Sequence, residues 1–108
     1  MSEDAPRVVM VTAPAEAAEA LARRLVEARA AACVNLLPGA RSVYRWEGEV
    51  CAEGETLLVI KTTAGALPRL IGLVEQEHPY DLPEVIALPI EAGLKPYLEW
   101  IANEVRSS

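Results

Sequence analysis

The sequence predicts an α+β domain built on an antiparallel sheet. Three observations carry that prediction. Short apolar runs of strand character alternate with two segments of helical period, in the order strand, helix, strand, strand, helix, strand. A further helical period closes the chain, and 108 residues suffice for one core but not for two. Residues 1–108 are therefore read as a single domain, with the packed part over 8–105.

The elements follow in order. Val8-Val9-Met10-Val11 is an apolar run before Thr12-Ala13-Pro14, where proline suits the first turn of a helix. That helix is expected over residues 15–30, because Ala18, Leu21, Ala22 and Leu25 recur at i, i+3, i+4, i+7 while Glu19, Arg23, Arg24 and Glu27 fall elsewhere. Residues 33–37 return to strand character, Pro38-Gly39 reads as a bulge, and residues 41–46 resume the alternation. Glu47-Gly48 makes a hairpin turn, Glu49-Val50-Cys51 comes back, and Thr56-Leu57-Leu58-Val59-Ile60 is the best candidate for a central strand. A second helix is expected over residues 65–77, on the spacing of Leu67, Leu70, Ile71 and Val74, with Thr63 as N-cap. His78-Pro79 ends it, since a residue before proline is pushed out of the α region. Residues 84–88 give the last strand, and Leu94, Tyr97, Leu98, Ile101, Ala102 and Val105 mark one face of a helix from about residue 95.

This order is the ferredoxin-like split βαβ pattern with an added C-terminal helix. Both main helices then cover one sheet face. One small extra helix cannot hide the other, so self-association is expected.

Charge and composition exclude several functions. Ten basic against sixteen acidic side chains give a net charge of −6, which argues against nucleic acid. No apolar run is long enough to span a membrane, and the acidic start lacks the apolar stretch of a signal peptide, so the expected location is cytoplasmic. Cys33 and Cys51 form neither a CxxC pair nor a disulfide framework and are expected to stay thiols, Cys33 as a buried small hydrophobe. The chain has no Phe, so aliphatic faces must supply the packing.

Catalytic motifs are missing. There is no nucleophilic triad, phosphate-binding loop or zinc-protease motif, His78 is the single histidine, and the carboxylates scatter along solvated faces, so no enzyme is expected. The segment His78-Pro79-Tyr80-Asp81-Leu82-Pro83-Glu84 gathers an imidazole, a phenol and carboxylates on a proline-fixed loop. It suits a divalent cation or small ligand, while the plainer alternative has His78 capping helix-terminal carbonyls. Tyr44 and Trp46, near the hairpin turn, are too apolar to stand in water and read as a subunit contact, as does Trp100. Asn35 reads as a satisfied buried amide, and Lys61 as the partner of a carboxylate.

Four segments together, residues 32–48, Lys61-Thr62-Thr63, residues 78–84 and Tyr97-Leu98-Glu99-Trp100-Ile101, resemble the CutA divalent-cation tolerance family in order and spacing. The resemblance implies a ferredoxin-like homotrimer, with the hairpin around Trp46 joining neighbouring sheets, and a role in tolerance to copper and other divalent metals. Copper ligands assigned in that family fall here on Val11, Glu77 and His78. Glu77 and His78 would thus hold a divalent ion weakly. The rival reading is a PII-like sensor whose inter-subunit cleft, lined by residues such as Lys61, His78, Tyr80 and Glu84, takes an anionic metabolite. A third is a structural trimer that anchors a partner protein.

Overall fold

Residues 3–106 are described by the computed structural model, which runs β1 (Pro6–Ala13), α1 (Ala15–Glu27), β2 (Cys33–Trp46), β3 (Glu49–Thr63), α2 (Leu67–Glu77), β4 (Ile86–Pro89) and α3 (Lys95–Val105). The strands form one antiparallel sheet in the order β2-β3-β1-β4. This is the predicted α+β, ferredoxin-like arrangement with its extra helix.

Alternation along the strands decides where the core lies. Val9, Val11 and Ala13 of β1 share a face with Leu58 and Ile60 of β3, and all five are buried against Leu21 and Leu25 of α1 and Leu70 and Val74 of α2. Fully burying one such side chain stabilises by roughly 1.5–3 kcal/mol before entropy is counted. α1 buries the four residues its periodicity selects, Ala18, Leu21, Ala22 and Leu25.

Several boundaries differ from the sequence expectation, each for a local reason. α1 stops at Glu27 rather than near residue 30, because Arg29 turns to φ 57° and the Ala30 N–H donates to the Leu25 carbonyl at 3.0 Å. α2 begins at Leu67 rather than residue 65, and its N-cap is Ala66, not Thr63. Thr63 instead closes the turn just ahead, its hydroxyl oxygen accepting from the Ala66 N–H at 3.3 Å. β4 covers Ile86–Pro89 rather than residues 84–88: β1 pairs with it only from Arg7 to Met10, and Thr12 donates to the Glu84 side chain at 3.5 Å instead. α3 buries Ile101 and Val105 against Ala32 and Ala66 and also buries Ala102, but Tyr97 and the N-cap residue Leu94 are exposed.

The opposite sheet face is apolar and only partly covered. Met10 pairs with Val59 on one side and Ile86 on the other, Val8 pairs with Leu88, and Leu37 with Leu57, so these side chains share the face turned away from α1 and α2. Ile86, Leu88 and Leu37 are 51%, 46% and 47% exposed.

β2 and β3 outrun the rest of the sheet. Beyond the register shift between Leu37 and Ala40, with Gly39 at φ 86°, they pair only with each other up to Trp46 and Glu49. The tip holds Glu47 at φ 51° and Gly48 at φ 83°, the two positive values a type I′ turn requires. The resulting two-stranded ribbon helps stretch the molecule to 43 Å along its longest axis.

Candidate functional site

A cleft of about 890 Å³ opens where the ribbon leaves the sheet. Two segments build it. On the ribbon, alternation places Glu53 and Glu55 on one side of β3, with Ser42 opposite Glu53. From the other side, the loop after α2 contributes Tyr80, Asp81, Leu82 and Glu84.

Glu55 is the buried polar centre of the cleft, only 7% exposed. The Tyr80 hydroxyl donates to its Oε2 at 2.8 Å, and the Ser42 hydroxyl donates to Oε1. Burial, then the hydrogen bond to Glu55, pushes the Tyr80 phenol well above its ordinary value. Higher on the ribbon, a hydrogen bond to Glu53 is the main cause pushing the Tyr44 phenol up to about 12.

His78 braces the same loop from beneath. Its Nε2 lies 2.8 Å from the Thr12 carbonyl, which can only accept, while Nδ1 accepts from the Tyr80 N–H at 3.1 Å. Those partners assign the neutral, Nε2-protonated tautomer and leave neither nitrogen open. The ring stacks obliquely on Tyr80 at 4.7 Å and is buried. His78 therefore does not cap helix carbonyls; it ties β1 to the loop and sets the position of Tyr80.

The other expected site residues are dispersed. Glu77 turns toward α1, its carboxylate 3.7 Å from the Arg24 guanidinium, and does not converge with His78. Among the described residues, no three histidine, cysteine or acidic side chains group closely enough to hold a metal ion. Tyr80 and Glu84 do line the cleft, but Lys61 pairs across the sheet with Val8 and Cys33, four residues along from the Thr12 and Leu57 pair. Its ammonium hydrogen-bonds Asn35, which is exposed rather than buried, so the partner of Lys61 is an amide and not a carboxylate. Cys33 and Cys51 are free thiols, and both are half-buried. Tyr44 and Trp46 stand exposed on the ribbon, and Trp100 lies exposed beside the Tyr97 ring at 5.5 Å. Sequence reading passed over Glu55, Glu53 and Ser42. Counting the strand alternation through the Pro38-Gly39 bulge would have placed all three on one face.

The family model for the CutA1 divalent ion tolerance protein matches residues 7–104. The chain belongs to the CutA1 divalent ion tolerance family. The divalent-cation tolerance protein CutA of Thermus thermophilus is 50% identical over 95 residues, which cover 87% of this chain and 92% of the relative. The chloroplastic CutA of Arabidopsis thaliana is also 50% identical, over 101 residues that cover 93% of this chain but 56% of that longer protein. Among solved structures, the PII-like protein CutA from Nostoc sp. PCC 7120 in apo form matches with a TM-score of 0.88 at 36% identity, covering 93% of this chain and 97% of its own. No helix among the described residues of this CutA1-family chain is long and apolar enough to cross a membrane.

Proposed function

We propose that this CutA1-family chain serves tolerance to divalent cations, copper among them, as a cytoplasmic homotrimer that holds such ions weakly and catalyses no reaction. The observation that carries the assembly is the uncovered apolar sheet face with Ile86, Leu88 and Leu37, joined to a ribbon that holds Tyr44 and Trp46 in the open. Exposed apolar area costs roughly 25 cal/mol per Å², and further copies of the same chain remove it. Trp100 on α3 extends the surface available to a neighbour. Light scattering is expected to give about three times the 11.7 kDa chain mass; a mass near that of one chain overturns the assembly.

The arrangement of Glu77 and His78 supports the reading that ion binding is weak. A metal on His78 must first displace the Thr12 or Tyr80 hydrogen bond, and Glu77 must leave Arg24. The net charge of −6 adds a diffuse attraction for cations. Calorimetry with Cu(II) is expected to report weak binding that His78→Ala weakens further; an unchanged affinity removes His78 from the ion site. A cytoplasmic location suits Cys33 and Cys51 as free thiols.

One observation favours a second reading, a PII-like sensor: the cleft is large enough for a small organic molecule. Lys61 does not line this cleft within one chain, so in this reading it joins Tyr80 and Glu84 from another copy.

A further inference from the structure

We infer that the cleft at the ribbon base takes an extended organic cation, a linear amine with two or more ammonium groups separated by methylenes. The inference rests on the reading of that cleft as a ligand site and specifies the ligand chemistry opposite to an anionic metabolite.

Three observations lead there. Glu55 is almost fully buried and receives only neutral donors, the Tyr80 and Ser42 hydroxyls, and no ion pair reaches it among the described residues. A buried carboxylate has a strong demand for a countercharge. Second, the lining carries Glu53, Glu55, Asp81 and Glu84 against Arg41 and Arg45, a formal balance of two positive and four negative charges, or −2. Both arginines are exposed, whereas the Glu55 carboxyl group is buried. Third, these carboxylates do not converge. Among the described residues, no trio of acidic, cysteine or histidine side chains groups tightly enough to hold a metal ion, yet all four border one cavity of about 890 Å³.

Spread carboxylates around one cavity suit a cation whose charges are themselves spread. The wall between them is apolar or aromatic, with Val43, Tyr44, Leu82 and Tyr80, which gives the methylenes a surface. A bare divalent ion would lose its hydration shell without gaining a ligand set. Glu55 reads one ammonium at the bottom of the cleft, and Asp81 or Glu84 reads the next at its mouth.

The test uses the assembled protein, because a neighbouring chain can meet the same walls. Calorimetry is run at constant ionic strength with putrescine and spermidine, with Mg²⁺ as an inorganic control and succinate as an anionic one. Saturable binding of the amines is expected, tighter for spermidine and at least tenfold tighter than for Mg²⁺. Glu55→Gln keeps the shape of the side chain and one acceptor oxygen while removing its charge, and is expected to weaken the amines at least tenfold. Asp81→Asn and Glu84→Gln, both at exposed positions, keep the test decisive if Glu55→Gln does not fold; each is expected to weaken spermidine more than putrescine. Glu19→Gln on α1, far from the cleft, is expected to change nothing. Equal responses to spermidine and Mg²⁺, or amine affinities that ignore Glu55, Asp81 and Glu84, overturn the inference. Binding of succinate alone overturns it and leaves the sensor reading standing, while binding of none of the probes overturns both.

Discussion

His78, Tyr80 and Glu55 form a chain of contacts whose order determines the chemistry of the loop. The histidine spends both nitrogens on backbone groups, the tyrosine backbone is thereby fixed, and the phenol is aimed at the one buried carboxylate of the ribbon. The loop after α2 was conspicuous in the sequence because it concentrates polar and proline residues. Its internal roles were not legible, since they depend on Thr12 and Glu55, which lie 66 and 25 residues from their partners in the loop. Tyr80→Phe leaves the buried Oε2 of Glu55 without its donor, with Ser42 still on Oε1, and is expected to lower stability by about 1–3 kcal/mol at pH 8, measured as the shift of the urea midpoint at fixed chain concentration. The pH dependence has a definite sign. An unfolded tyrosine ionises near pH 10, whereas native Tyr80 holds its proton to higher pH, so above about pH 10 the native state binds more protons than the unfolded one. The stabilisation is complete below that pH and is lost as pH rises further. The Tyr80→Phe protein is expected to show a shallower decline between pH 9 and 11, with a residual slope from Tyr44.

At the level of elements, periodicity was sufficient wherever one face is buried. The apolar stripe of α1 matches its buried residues one for one, and the hairpin turn at Glu47-Gly48 has the positive φ values its composition suggests. The ends of elements were less legible because they are decided by partners remote in sequence, as when β4 starts only where Met10 offers a pairing partner. α3 shows the other limit: of the six residues in its stripe, Ile101, Ala102 and Val105 are buried and Leu98 is half-buried, while Leu94 and Tyr97 stand exposed. Two glycines give opposite expectations. Gly48 sits at φ 83°, so Gly48→Val forces a β-branched residue into the left-handed region and is expected to lower stability by about 1–2 kcal/mol. Gly72 lies inside α2 with nothing near the position of an added Cβ, so Gly72→Ala is expected to raise stability by about 1 kcal/mol. Urea titrations of both variants check the pair.

For the whole molecule, the aliphatic composition separates into two populations. One fills the core between the sheet and α1 and α2; the other coats the opposite sheet face, with Met10, Val59, Ile86 and Leu88 in adjoining register. Sequence alone could count these residues but not divide them, because the division depends on which face each strand turns to the helices. If the outer population is an interface, charging it must disperse the particle. The double variant Ile86→Lys, Leu88→Lys is expected to drop from the assembled mass to that of one chain while its circular dichroism stays unchanged; retention of the larger mass locates the interface elsewhere. The ribbon adds a mechanical property to this picture. It is anchored at one end only and the cleft lies at that anchorage, so the pair of strands acts as a lever with its fulcrum beside Glu55. Six residue steps from Ala40 to Trp46 make an arm of about 20 Å, and a tilt of about 5° at the fulcrum sweeps the indole through about 2 Å. A displacement of that size is enough to unseat a side chain packed against a neighbour, so an occupant of the cleft would be felt about 20 Å away, at the tip of the ribbon.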